Sequence, residues 1–352
     1  MNPSTPDGSG PAQPDAGAAT VFGNPLPPAA PRFTVTDIFF GRNGLRALWG
    51  ILIFLALAEI LPRLIFPLFQ AMFSPARGVQ GLFSLRRLLV FEGAGLVSIA
   101  LATWGMARIE RRRTAVYGFA PQHGMRNFCS GLAWGVALLS LLVVILRATG
   151  LLVFDARLLY GPAALRYGAL WLGGFLLVAF REEMVSRAYL QFTLTRGLGA
   201  IYRRLFGGAH ANAAGFWTAA LILSYAFGFG HRTNPGESPL GLLSAGLIAL
   251  VFCLSLWRTG SLWWAIGFHA SWDWAQSFVY GVADSGLMIQ GHLLASHPVG
   301  RPVLSGGLTG PEGSVYLLPI VGLSVAAVIL TLPRTNLGYT PAGTREAELD
   351  LA

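Results

Sequence analysis

A succession of long apolar runs limits the fold of this chain more than any other feature of its sequence. A helix needs about 20 mainly apolar residues to cross the hydrocarbon core of a membrane. Runs of that kind lie near residues 45–71, 88–107, 129–147, 165–195, 213–230, 240–257, 262–282 and 314–332. Only 12% of the 352 residues are charged, which is low for a soluble domain. We therefore predict an all-α, polytopic membrane protein with about eight transmembrane helices.

Polar segments border this apolar region and suggest how the chain is divided. Residues 1–31 are rich in Pro, Ala, Gly and Ser, which predicts a disordered cytoplasmic tail. Residues 32–164 form the N-terminal transmembrane helices, and residues 165–282 form a core that concentrates the polar residues within apolar runs. Residues 283–332 hold a loop and the last helix, and residues 333–352 form a second cytoplasmic tail.

The positive charge of the chain is better explained by membrane topology than by nucleic-acid binding. The net charge of +9 comes from arginines spread over the loops between apolar runs. Fourteen of these arginines fall on the side that holds the N-terminus and eight on the opposite side. Because cytoplasmic loops carry the excess of basic residues, we predict that both termini are cytoplasmic. The predicted location is the cell (inner) membrane, with the lipid bilayer as a partner and no nucleic acid.

A cluster of charges directly follows the apolar run that ends at Ala179. Its residues are Arg181, Glu182, Glu183 and Arg187, and such a cluster inside a membrane indicates function. On a helix, Glu183 and Arg187 are four residues apart and can form an ion pair. Glu182 points about 100° away and is expected to be free for other work. Arg181 by itself is typical of a charged helix end.

Glu59, Arg63 and Glu92 lie well inside the first two predicted spans. Glu59 and Arg63 have the spacing of an ion pair on one helix, and we assign them a structural role. Glu92 lies in the second span and has no evident partner in the sequence.

Two later motifs add histidines to the inventory of intramembrane polar groups. His231 ends the run Phe227-Gly228-Phe229-Gly230, and His269 precedes Asp273 by four residues, which places these two on one helix face. A carboxylate and an imidazole can activate a water, while a second imidazole stabilises an oxyanion.

Two histidines together with a glutamate and an aspartate are also a plausible ligand set for a divalent metal such as zinc. The H-E-x-x-H pattern of many metalloproteases is absent from the sequence. Cys129 and Cys253 both lie in apolar runs, so neither a disulfide framework nor a cysteine metal site is predicted.

The three motifs together resemble the signature of the CAAX-processing and bacteriocin-processing intramembrane proteases, the CPBP or Abi family. The resemblance rests on Glu182-Glu183-x-x-x-Arg187, Phe227-x-x-x-His231 and His269-x-x-x-Asp273 and covers about residues 165–282. It implies an endopeptidase in which Glu182 and His231 activate water, while His269 with its partner stabilises the oxyanion. Glu183 and Arg187 then shape the site. Members are described both as metalloproteases and as metal-free glutamate-dependent enzymes, so the resemblance leaves the metal open.

One residue departs from the family pattern. The position of Asp273 is often Asn in the family, and an ionised aspartate cannot donate a hydrogen bond to an oxyanion. We therefore expect Asp273 to orient His269 or to bind a metal. The resemblance leaves the membrane-associated substrate open, because prokaryotic members often meet no prenylated protein.

Two other classes of function use similar residues. Buried Glu, His and Asp side chains also form proton relays in transporters, which predicts flux driven by a pH gradient and no peptide cleavage. A non-catalytic membrane scaffold predicts that alanine at Glu182 leaves the cellular phenotype unchanged. The intramembrane endopeptidase is the leading hypothesis because three motifs agree in order and spacing.

Overall fold

A computed structural model describes residues 34–41, 44–72, 82–120, 123–208 and 210–332, and helices dominate it. The α-helices are α1 Thr36–Phe39, α2 Ala47–Met72, α3 Leu85–Ile109, α4 Gly124–Ala148, α5 Gly161–Glu183, α6 Leu190–Phe206, α7 Ala211–Gly230, α8 Pro239–Thr259, α9 Trp263–Trp274, α10 Pro302–Ser305 and α11 Leu317–Thr331. Two π-helical segments span Met184–Tyr189 and Ala275–Val279, and 3₁₀ turns span Thr114–Tyr117, His231–Thr233 and Pro311–Gly313. The strands are β1 Phe40–Gly41, β2 Gly44–Leu45, β3 Leu152–Arg157 and β4 Leu294–Pro298. The predicted tails 1–31 and 333–352 lie outside the described residues.

The prediction of an all-α polytopic membrane protein is confirmed. Within the described residues, six helical segments are long and apolar enough to span a membrane. One of them is the continuous segment Gly161–Phe206, whose 46 residues extend about 69 Å, more than twice the thickness of a hydrocarbon core. The predicted spans 262–282 and 314–332 correspond to shorter helices, α9 with its π-helical extension and α11. Only the number of full-length spans differs from the expected eight.

Close packing of α4 against α9 fixes the position of the third motif. A Cβ atom added at Gly131 would lie 2.2 Å from the carbonyl oxygen of Trp264, and one at Gly267 would lie 2.3 Å from that of Phe128. Glycines at these positions let the two backbones approach, as small residues do at helix interfaces in membranes. Leu262 and Trp264, at the start of α9, are fully buried. The helix therefore begins inside the protein, which brings the following turn of α9 close to α5.

A loop segment between α9 and α10 covers one end of the helical bundle. Strands β3 and β4 pair antiparallel, with a register from Leu152 opposite Pro298 to Arg157 opposite Leu294. A backbone bridge also joins Phe83 to Ile289. These contacts tie residues 280–298 to the segments that precede α3 and follow α4. Residues of this loop consequently line the cavity described below.

Candidate active site

The predicted pair of Glu183 and Arg187 is confirmed as a buried ion pair. Arg187 Nη1 lies 2.5 Å from Glu183 Oε1, and the two side chains are 1% and 0% exposed. The guanidinium carbon of Arg187 lies 4.8 Å from the ring centre of Phe227 and 5.1 Å from that of Phe252. Arg187 therefore joins the end of α5 to α7 and α8. Glu183 is the last residue of α5, and Arg187 lies in the π-helical segment that follows.

His269 is surrounded by carboxylates from two helices. Its Nδ1 atom lies 3.0 Å from Glu183 Oε1, and its Nε2 atom lies 3.7 Å from Glu182 Oε2 and 3.5 Å from Asp273 Oδ2. The imidazole stacks on Phe252 at 5.7 Å between ring centres. The first and third motifs, which are 86 residues apart in sequence, thus meet through direct contacts.

His231 sits where α7 gives way to a short 3₁₀ turn. Its Nδ1 atom lies 2.9 Å from the carbonyl oxygen of Phe227, the first residue of the same motif. A carbonyl only accepts hydrogen bonds, so Nδ1 carries a proton and donates it. In the neutral ring the other nitrogen, Nε2, is therefore an unprotonated acceptor.

One cavity of about 600 Å³ brings the three motifs to a common space. Glu182, His231, His269 and Asp273 line it, whereas Glu183 and Arg187 contact it from behind through His269 and Phe227. Much of the remaining wall is apolar and comes from α3, α5, α7 and α8. The arrangement holds a small number of converging polar groups in an otherwise apolar pocket, as ligand and active sites commonly do.

Glu182, which helical spacing leaves outside the Glu183–Arg187 pair, makes an ion pair of its own. Arg181 Nη2 lies 3.0 Å from Glu182 Oε1, and the same guanidinium makes an ion pair with Glu92 on α3. Helical spacing separates Glu182 from Arg187 but gives no information about Arg181, the preceding residue. The long side chain of Arg181 reaches back to Glu182. Glu92, for which the sequence indicates no partner, therefore pairs with Arg181, which lies 89 residues further along the chain.

Two acidic residues in the wall of the cavity were not predicted from the sequence. Asp284, in the loop after α9, and Glu312, in a 3₁₀ turn, both line the cavity. Glu312 accepts hydrogen bonds from Trp272 Nε1 at 3.3 Å and Gln276 Nε2 at 3.0 Å. Neither acid belongs to an apolar run, so intramembrane charge, the signal used for the other residues, does not identify them.

The donor groups do not fit a zinc centre in this arrangement. Catalytic zinc commonly has three protein ligands around one point. Among the described residues, no three His, Cys, Asp or Glu side chains are placed to hold a metal ion.

The fold and the cavity define the class of this protein as an integral membrane protein with a buried site of carboxylates and imidazoles. Residues 163–275 match the family model of the Rce1-like type II CAAX prenyl endopeptidases. No curated protein sequence and no solved structure matches the chain significantly. The matched region contains all three motifs and agrees with the resemblance predicted from them. This region is thus similar to the CAAX-type intramembrane proteases, a family of membrane-bound hydrolases of peptide bonds.

Proposed function

We propose that the cavity hydrolyses a peptide bond of a membrane-associated protein or peptide, with Glu182 and His231 activating the attacking water. The observation that carries the proposal is the convergence of Glu182, His231, His269 and Asp273 on one cavity. These side chains come from three separate helical segments, and a purely structural role would not require them to face a common space. Hydrolysis without a nucleophilic side chain requires a base, a proton shuttle and an oxyanion donor.

The base function falls to Glu182 with His231. Glu182 Oε1 is held by Arg181, and its other oxygen, Oε2, faces His269 across 3.7 Å. His231 directs the unprotonated Nε2 of its neutral ring away from the Phe227 carbonyl. A water bound between a carboxylate and such an imidazole meets two acceptors. It can pass its proton to either one as it attacks the substrate carbonyl.

The donor function falls to His269. Its Nδ1 proton is directed to Glu183, so the neutral ring would present only an acceptor at Nε2. The doubly protonated ring instead presents an N–H group at Nε2 and is balanced by the carboxylates of Glu182, Glu183 and Asp273. In that form His269 can stabilise the developing oxyanion or give a proton to the leaving amine.

Glu183 and Arg187 act as positioning residues. Glu183 Oε1 accepts from both Arg187 Nη1 and His269 Nδ1. Because Arg187 is fixed between two aromatic rings, the shared oxygen holds the imidazole in one orientation. Asp273 contacts Nε2 of the same ring at 3.5 Å and completes this arrangement.

The proposal is tested by proteolysis with the purified protein in lipid vesicles. The probes are a fluorogenic peptide that ends in a prenylated CAAX sequence and the same peptide without the lipid. Glu182→Gln should abolish hydrolysis while the protein stays folded, since the amide keeps the shape but cannot accept a proton. Glu237→Gln, the same change outside the cavity, is the control. More than about a tenth of the parent activity in Glu182→Gln would contradict the role of Glu182 as base.

A chelator provides a separate test of the metal. Because no three His, Cys, Asp or Glu side chains in the described part of the chain are placed to hold one metal ion, we expect activity to persist after treatment with a chelator and dialysis. Loss of activity that returns on addition of zinc alone would contradict this expectation. Glu182→Gln should remain inactive under both conditions.

We also propose that both termini face the cytoplasm of a cell whose inner membrane holds the protein. The support is the excess of loop arginines on the side of the N-terminus. Reporter domains fused to each terminus test the orientation. A signal from the outer side of the membrane at either end would contradict it.

A further inference from the structure

We propose that the exposed face of α2 is the contact surface of a homodimer in the membrane. This inference rests on the Glu59–Arg63 ion pair, for which the sequence analysis predicts only a structural role. The two atoms Arg63 Nη2 and Glu59 Oε1 lie 2.5 Å apart, yet the side chains are 70% and 68% exposed. The helix lies outside residues 163–275, so the inference does not rest on the proposed protease activity.

The depth of this ion pair makes its exposure unusual. In α2, Glu59 lies about 18 Å from Ala47 and Arg63 about 14 Å from Met72 along the helix axis. Both residues therefore fall near the middle of a spanning segment. Charged side chains at this depth almost always face the protein interior or water, because hydrocarbon solvates them poorly. Here both side chains face outward from the helical bundle.

The rest of the exposed face has the shape of a helix contact surface. Leu52, Leu55, Ile60 and Leu64 surround the ion pair and are 47% to 64% exposed. Ala56 is also exposed and offers a small side chain one turn before Ile60. The opposite face of α2 is already used, since Gly50 and Phe54 are buried against the bundle. One face thus packs within the chain, and the other combines apolar residues with a central pair of charges.

Charge complementarity identifies the partner as a second copy of this chain. Copies inserted with the same topology are related by a two-fold axis along the membrane normal, so their α2 helices run parallel. Glu59 and Arg63 are one helical turn, about 6 Å, apart along the axis. The long arginine side chain can therefore reach across the axis to Glu59 of the other copy while the reverse contact forms symmetrically. Each charge then gains a second partner and is removed from lipid.

Single-molecule photobleaching of the full chain in dilute lipid vesicles tests the proposal. The parent protein should bleach mainly in two steps. Glu59→Arg and Arg63→Glu, which each give one face a single sign of charge, should lower the association constant about 10-fold. A mixture of these two variants should restore association, as should the double charge exchange Glu59→Arg with Arg63→Glu. A monomeric parent protein, or single variants that associate as well as the parent, would overturn the proposal.

A milder variant covers the possibility that charge reversal prevents folding. In a Cys129→Ser background, Ala56→Cys should form a disulfide-linked dimer on oxidation in vesicles. Leu330→Cys on α11 is the matched control, because that residue is 82% exposed and lies on another apolar helix. Cross-linking at Leu330 but not at Ala56, or equal cross-linking at both, would contradict the assignment of α2 as the interface.

Discussion

At the scale of single residues, Glu183 is the point where the first and third motifs meet. One of its oxygens accepts from both Arg187 and His269, and the side chain is fully buried. A buried carboxylate without its cation is strongly unfavourable, since hydrocarbon and protein interior solvate it poorly. The stability of the site therefore depends on the ion pair as a unit.

This dependence gives the first prediction at the residue scale. Arg187→Ala leaves Glu183 unpaired and should lower the free energy of unfolding in detergent by about 3–5 kcal/mol. Glu182→Gln should cost less, because it removes a charge without leaving a buried carboxylate without a cation. The double variant Glu183→Ala with Arg187→Ala should be more stable than Arg187→Ala alone. Stability is measured by thermal unfolding. If the single and double variants are equally stable, the ion pair with Glu183 is not the way in which Arg187 stabilises the protein.

The second prediction at this scale concerns Asp273, where the chain departs from the family pattern. If Asp273 orients His269 and balances its charge, Asp273→Asn should lower kcat/KM about 10-fold to 100-fold. If the residue only occupies the place of an oxyanion donor, the amide should preserve or raise activity. We expect the loss, because the Asp273 carboxylate lies 3.5 Å from His269 Nε2. The measurement is kcat/KM of both proteins, with metal content determined in parallel, and an equal or faster variant would contradict the expectation.

At the scale of elements, π-helical geometry adjoins two of the three motifs. The π-helical segment Met184–Tyr189 follows Glu183 directly and contains Arg187, and a second one, Ala275–Val279, begins two residues after Asp273. A π-helical turn shifts the register of the residues that follow it, and such turns are frequent at functional sites. Neither segment is visible in the hydrophobic periodicity of the sequence.

The close contact of α4 with α9 gives a prediction at the element scale. Gly131→Ala would place a Cβ atom 2.2 Å from a backbone oxygen of α9, so the helices must separate. We expect a loss of stability of about 1–3 kcal/mol, typical of overpacking. Activity should fall as well, since α9 carries His269 away from Glu183.

Gly105→Ala on α3 is the matched control, because an added Cβ there meets no atom within 4 Å. Thermal unfolding and peptide hydrolysis are measured on both variants. A Gly131→Ala protein as stable and active as Gly105→Ala would show that α4 and α9 tolerate separation.

At the scale of the whole molecule, the loop over the cavity links stability to pH. Asp284 lies in this loop, outside the spanning helices, and Ser277 Oγ donates to it at 3.4 Å. Burial, followed by the nearby carboxylate of Glu312, raises the pKa of Asp284 well above its ordinary value. Between the two pKa values the folded protein binds more protons at Asp284 than the unfolded chain does. The contribution of this group to stability is therefore complete at low pH and is lost as the pH rises through the folded-state pKa.

The corresponding prediction is that Asp284→Asn flattens the decline of stability with rising pH. Each proton that only the folded state binds lowers the free energy of unfolding by about 1.4 kcal/mol for each unit of rising pH. The melting temperature of the variant should exceed that of the parent at the high end of a series from acid to neutral pH. Asp155→Asn, at an exposed carboxylate on β3, serves as the control. Parallel curves for Asp284→Asn and the parent would contradict the prediction.

The sequence by itself determined the membrane class and the local pairs. Apolar runs of spanning length leave a helical membrane protein as the outcome, because a lipid-exposed backbone must satisfy its own hydrogen bonds. The ion pairs of Glu183 with Arg187 and of Glu59 with Arg63 follow from the four-residue spacing of one helix. The three motifs also predicted the family region, and their catalytic roles remain predictions.

Only the tertiary structure decided which groups from distant segments meet. Glu92 with Arg181 and Glu183 with His269 are pairs separated by 89 and 86 residues, and no periodicity connects them. The contact of Glu183 with His269 depends on glycines such as Gly131 and Gly267, which let α9 lie deep against α4. Local spacing fixes which side chains share a helix face. The depth and direction at which such faces meet are fixed by close packing between elements far apart in the sequence.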